Sequence, residues 1–403
     1  MPLVVPVGAV NNLPMEYIYL DHNATTPTRP EVVEAIARCY REGHANAASQ
    51  HRAGQRAQRI LEEARESIGE NLGASVGGAV PDRILFTSGG TEANNLAVLG
   101  LARSRPDAPP GQLIVSAIEH PSVIGPAERL LEEGWRLDTL GVTASGTVRV
   151  DQLPPLLTPQ TRLVSVMLGN HETGVLQPVA DLAALANDAG VPMHTDAVQV
   201  VGKRPVHFRS LGVAAMSVAA HKFQGPAGIG VLIVRAGTPL LPLQLGGHQQ
   251  HGLRPGTEPL ALAVGMATAL RLCCQEQHER AQRMERLLSR LENGLRAGYP
   301  RLVINGVDAQ RLPQTTNIAF PGHDGQMLLL ALDLAGIACS VGAACSSGSA
   351  ELSPTLRAMG LPKAVVSSSL RFSLGPTNTE AEIDEAVCRI LHVLHALDGS
   401  SAG

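Results

Sequence analysis

The chain has 403 residues, 44% apolar, 17% charged and only 2% aromatic, with a formal charge of −4. So much aliphatic content excludes a disordered chain, and 41 Gly with 28 Pro in no fixed period exclude a collagen. The near-neutral charge and scarce aromatics argue against a nucleic-acid partner. The length predicts two or three domains. The apolar start, Met1 to Pro14, lacks the basic region and cleavage site of a secretory leader. No run reaches the ~18 apolar residues of a membrane span, so no membrane partner is expected. The six cysteines, at 39, 273, 274, 339, 345 and 388, form no CxxC pair and no zinc-type cluster. They predict no metal and no disulfide framework, and point to a reducing, cytoplasmic compartment.

Strand-like and helix-like segments then alternate. Arg83 to Thr87 reads as a strand and Thr91 to Arg103 as a helix. Leu113 to Ala117 and Leu163 to Leu168 are strands, followed by helices over Ile124 to Glu133 and Val179 to Ala189. Pro192 to Thr195, Ala215 to Ala219 and Gly230 to Val234 complete the strand set. Nearly continuous apolar strands separated by helices predict an α/β fold with a largely parallel sheet covered on both faces. From Glu258 to Gly298 the pattern is helical, apolar first and charged later, which places a boundary near 275. A smaller α+β unit follows. Its strands are Thr315 to Phe320, Ile337 to Val341 and Ser369 to Leu374. Its helices are Gln326 to Ala335, Pro354 to Met359 and a closing one from Thr379.

Several polar motifs fall at predicted strand ends. Lys222 sits in SVAAHKFQGP, after a strand and before a Gly/Pro turn. It is either an ordinary loop charge or an amine held against a carbonyl group. TSGGTEANN runs from a strand into a helix start, a phosphate cradle or a plain glycine turn. Asp196, in MHTDAVQ, is a carboxylate that needs a partner, either an aromatic nitrogen cation or an arginine. Asn170 in NHETG and His120 in IEHPS stand at two further strand ends. Ligands of open α/β sheets bind outside the carboxyl ends of the strands.

From Tyr19 onward the chain resembles the cysteine desulfurase/selenocysteine lyase family of the class V aminotransferase group. The motifs that carry the resemblance are YLDHNATTP, TSGGTEANN, EHPSV, NHETG, HTDAVQ, AHKFQGP, RPGTE, SVGAACSSG and SSLRFSLG, in that order. The resemblance implies the transferase fold of enzymes that depend on pyridoxal 5′-phosphate (PLP). It implies a homodimer, a large, mostly parallel-sheet cofactor domain over 30–275 and a small α+β domain over 15–29 plus 276–398. Lys222 resembles the Schiff-base lysine, Asp196 the partner of the pyridinium nitrogen, and His120 the residue stacked on the ring. Gln199 would reach the phenolic oxygen, and Gly90, Thr91 and His221 the phosphate. Thr257 would reach the phosphate in the partner subunit. Arg371, Asn170 and Asn46 would hold the substrate. The family often has Ser or Thr three residues before the lysine; here Ala219 offers no hydroxyl.

Cys345 lies among small residues, with glycines on both sides and no apolar neighbour to bury it. Such a stretch predicts a cysteine free to reach a substrate and hand sulfur on. Cys39 and Cys388 lie in amphipathic helices and Cys339 in a strand, where burial is expected. The implied reaction converts L-cysteine to L-alanine and leaves a persulfide on Cys345, for a sulfur-acceptor protein in iron–sulfur or thio-cofactor assembly. Lys222 would move the Cα proton, and His120 would assist proton transfer. The competing readings are a selenocysteine lyase acting on L-selenocysteine, a class V aminotransferase or epimerase without an enzyme cysteine, and a non-catalytic scaffold.

Overall fold

The computed structural model describes residues 17–105, 107–341 and 352–400. The first elements are β1 (Ile18–Tyr19), α1 (Pro30–Arg41), α2 (Arg52–Asn71), β2 (Arg83–Thr87) and α3 (Gly90–Ala102). β3 (Gln112–Ser116), α4 (Pro121–Glu132), β4 (Arg136–Leu140) and β5 (Thr161–Ser165) follow. Then come α5 (Val179–Asp188), β6 (Met193–Asp196), β7 (Ala215–Ala219) and β8 (Gly230–Val234). β2 to β8 form one seven-stranded sheet in the order β2-β8-β7-β6-β5-β3-β4. All neighbours are parallel except β8, which runs antiparallel to both β2 and β7. The 220–229 connection is shorter than the dozen or so residues a parallel crossover needs, so β8 must turn back on β7.

Alternation along β8 shows how both faces are covered. Val231 and Ile233 join a core with Ile68 of α2 and Leu182 of α5, while Leu232 and Val234 join another with Leu96 of α3 and Leu130 of α4. Burial on both sides is why these strands read as unbroken apolar runs. β4 lacks such a run because it is an edge strand, with Arg136 and Thr139 exposed. β5 ends at Ser165, earlier than its apolar run. Val166 and Leu168 nevertheless still donate to the His194 and Asp196 carbonyls at 3.1 and 2.9 Å.

The long helical stretch is two helices, α6 (Leu260–Gln275) and α7 (Gln277–Gly298), broken at Glu276. Glu276 is held there by Arg29 at 2.8 Å and Arg280 at 2.7 Å. α6 packs Met266 and Leu270 into the first core, and α7 packs Leu287 and Leu291 into a third. The later elements are β9 (Val303–Asn305), β10 (Thr315–Ala319), α8 (Gly325–Leu334), β11 (Ile337–Ala338), α9 (Pro354–Ala358), β12 (Ser369–Ser373) and α10 (Glu380–Ser400). β12, β10 and β9 form an antiparallel sheet, and β1 pairs in parallel with β11. Ile18 and Leu20 thereby share a core with Ile318, Phe372 and Leu394. Cys39 is buried as expected, but Cys388 is exposed, because it lines an open groove between α7 and α10. No helix among the described residues is long and apolar enough to cross a membrane. Cys345 and its loop lie outside the described residues.

Candidate active site

The carboxyl ends of β2, β3, β6 and β7, with the segment after β5, surround a cavity of about 290 Å³. Gly90, Thr91, His120, Asp196, Gln199, His221 and Lys222 all line it. Lys222 follows β7 in a short turn. Its Nζ donates to the carbonyls of Asn23 at 2.5 Å and Ala24 at 2.8 Å. The segment after β1 thus docks on the sequence-distant lysine. Gln199 Nε2 donates to the same Asn23 carbonyl at 3.0 Å, while its Oε1 is buried without a partner among the described residues.

Asp196 is only 7% exposed. Its Oδ2 accepts from Asn94 Nδ2 at 2.6 Å and its Oδ1 from the Val198 N–H at 2.9 Å. Among the described residues no arginine or lysine pairs with it, so the arginine alternative fails. A buried carboxylate held by neutral donors favours a cation placed against it.

The opposite requirement is met by α3. Gly89 takes its N-cap position, so Gly90 and Thr91 stand in the first turn, where backbone N–H groups lack helical partners. A Cβ on Gly90 would stand 2.9 Å from Val198 Cγ2, so only glycine leaves this end of the cavity open. A helix start with free donors favours an anion. Ala219 borders the same end and contributes no hydroxyl. The cavity therefore suits a flat ring with a phosphate at one side and a protonated nitrogen at the other.

His120 caps α4, with Nδ1 2.7 Å from Ser122 Oγ, and meets His171 edge to face with ring centroids 5.3 Å apart. Burial holds His171 well below the usual imidazole range, and burial with Lys222 and Lys203 lowers His221 to about 4. Both rings are therefore neutral near pH 7.

Four expected residues do not line the cavity. Asn170 is buried, and its Oδ1 accepts from the N–H groups of Glu172 and Thr173, each at 2.9 Å, to hold the 170–174 turn. Asn46 is exposed, with Oδ1 accepting from Ala48 N–H at 2.9 Å. Thr257 is exposed on a loop tied to α3 by the Arg254–Glu92 ion pair at 2.7 Å. Arg371 lies behind His171. It donates to the His171 carbonyl at 3.1 Å and pairs with Asp21 at 2.7 Å, while Nε has no hydrogen-bond partner among the described residues. Sequence reasoning missed Asn94, Ser122 and His171 as cavity residues. Asn94 had a signal, because it lies one helical turn beyond Gly90 and Thr91.

Glu119, next to His120, accepts from the Ser116 hydroxyl and from the Met167 N–H at 2.8 Å. Burial pushes its carboxyl up to about 8. The folded protein keeps this proton up to about pH 8, whereas an unfolded carboxyl releases it near 4.5. The folded state binds more protons in that window, so this group's contribution to stability falls as pH rises through it. Glu119→Gln keeps the neutral shape and flattens that fall. Thermal melts between pH 5 and 8 check this; equal slopes in both proteins would remove Glu119 as the cause.

The family description Aminotransferase class-V matches residues 18–386. The chain is 42% identical over 375 residues to an IscS-like cysteine desulfurase of Mycobacterium tuberculosis, covering 92% of this chain and 94% of that protein. It is 39% identical over 373 residues to the cysteine desulfurase NifS of Azotobacter vinelandii, covering 93% and 91%. A solved NifS-like protein superposes with a TM-score of 0.86 at 33% identity, covering 94% of this chain and 99% of that one.

Proposed function

The chain belongs to the class-V aminotransferase family, and from that premise we propose that it is a PLP-dependent cysteine desulfurase. It takes sulfur from L-cysteine, releases L-alanine and holds the sulfur as a persulfide on Cys345. The observation that carries this reading is the opposition of charges in one cavity. Asp196 waits on neutral donors at one wall, Gly90 and Thr91 offer a helix start at another, and Lys222 stands between strand ends. PLP, when bound, supplies an electron sink for charge developing at Cα.

The remaining roles belong to the protein's own atoms. Asp196 would hold the ring nitrogen protonated. The second N–H of Gln199 Nε2 would reach the ring's oxygen substituent, and His120 would cover one ring face. Gly90, Thr91 and His221 would hold the phosphate. Lys222 Nζ would anchor the cofactor and carry the Cα proton, and His120 would help move protons. The Cys345 thiolate would bond the substrate sulfur as the Cβ–S bond breaks, with the electron pair staying on Cβ, which takes up a proton to complete alanine. Thr257 serves the partner subunit's cofactor, consistent with its exposure here, so the active unit is a homodimer. Asn170 would support the substrate side through the turn it holds, and Asn46 would contact the substrate from its own turn. The persulfide passes to an acceptor protein, in a reducing cytoplasmic setting where a thiolate carrier survives.

The test is to give the cofactor-loaded protein L-cysteine, measure alanine and map added sulfur by mass spectrometry. Alanine with sulfur on Cys345 supports the reading; no alanine from cysteine overturns it. L-selenocysteine run in parallel measures which substrate is preferred.

Arg371→Lys tests the carboxylate grip. A lysine is a point charge and loses the planar fork. The KM for cysteine rises roughly tenfold or more while cofactor binding is kept. An unchanged KM would assign the substrate carboxylate to another residue.

A further inference from the structure

A second lysine is buried behind Lys222. Lys203 follows the turn after β6 and is 7% exposed, and its Nζ has no hydrogen-bond partner among the described residues. The backbone forces this placement. Gly202 has φ +80, and a Cβ there would stand 2.5 Å from Phe223 Cβ, so the Lys203 segment presses on the Lys222 segment. The groups around Lys203 come from several elements. Lys222 and His221 come from the turn after β7, and Cys273 comes from α6. His22 comes from the segment after β1, with both ring nitrogens buried and without hydrogen-bond partners among the described residues; Lys203 opposes a charge on it and Glu382 of α10 favours one. The Cys273 thiol in turn meets Arg280 of α7 at 3.1 Å. Lys222 itself faces Asp196 across the cavity, with His171 and His221 beside it.

We propose that Lys203 is a positioning residue for Lys222: the two amines, buried in adjoining segments with no carboxylate paired to Lys203 among the described residues, do not both hold a charge, so that Lys222 is kept short of protons and its amine is available to a carbonyl. The inference rests on the reading of Lys222 as the cofactor lysine. Two cations in a poorly solvated space oppose each other, and a neighbouring cation is one way to activate a lysine amine. The effect is mutual: burial and Lys222 together bring Lys203 down to about 7.

The experiment uses apoprotein and an amine-acylating reagent across pH, with labelling at Lys222 read by mass spectrometry. Lys203→Met keeps the stem and removes the charge; Lys203→Arg keeps the charge. The Met variant shifts Lys222 titration to higher pH and lowers its labelling at pH 7 roughly tenfold. The Arg variant titrates at or below the parent's position. Cofactor attachment, trapped by borohydride and mapped to Lys222, slows in the Met variant by the same factor. Identical Lys222 titration in the parent and both variants overturns the inference. If Lys203→Met does not fold, Lys222→Ala carries the test: Lys203 labelling shifts to higher pH, and no shift overturns the proposal. Cofactor trapped on another lysine in the parent overturns the reading of Lys222 instead.

Discussion

Lys222→Ala yields a folded protein that cannot fix the cofactor covalently and releases no measurable alanine from cysteine. In the proposed reaction the lysine supplies both the covalent anchor and the group that carries the Cα proton. Loss of a positioned acid–base group alone costs about 10²–10⁴-fold, and loss of the anchor adds to it. Folding survives because the Lys222 hydrogen bonds to the Asn23 and Ala24 carbonyls tie one loop segment, and Gln199 still donates to the Asn23 carbonyl. The expected stability loss is about 1–3 kcal/mol. Borohydride trapping, alanine release and a thermal melt check the three parts. Ordinary turnover by this variant would remove Lys222 from the mechanism and, with it, the assignment of the cavity.

Cys345→Ser separates binding from sulfur transfer. Serine keeps the size of the side chain but has no thiolate to attack a substrate sulfur. The variant still binds cofactor and cysteine, because every cavity residue is untouched. It gains no sulfur, and alanine release from cysteine falls at least about 10³-fold, as expected when a covalent nucleophile is lost. A selenol is more acidic than a thiol and leaves more readily, so selenocysteine turnover falls less. Sulfur found on Cys39, Cys273, Cys274, Cys339 or Cys388, with the serine variant fully active on cysteine, would refute the carrier role. Cys273 is an unpromising substitute: it is buried, its thiol meets the Phe223 carbonyl at 3.1 Å, and burial raises it against ionisation.

What the sequence determined by itself follows from local repetition. Unbroken apolar runs between amphipathic helices specified a sheet covered on both faces. The motifs at their ends located Lys222, Asp196, His120, Gly90 and Thr91, which line one cavity because strands of such a sheet share a carboxyl edge. The return of β8 was also decided locally, by a connection too short to cross over. Tertiary structure alone decided what each polar group meets. Asp196 is held by Asn94 rather than an arginine, Asn170 is spent on its own turn, and Arg371 is paired with Asp21. Lys203 reads along the chain as an ordinary charge after a turn. It becomes a buried neighbour of Lys222 only when segments near residues 22, 222 and 273 converge. Periods of 2 and 3.6 residues report which side of an element a residue occupies. They carry no information about which distant segment packs there, and that packing sets desolvation and charge.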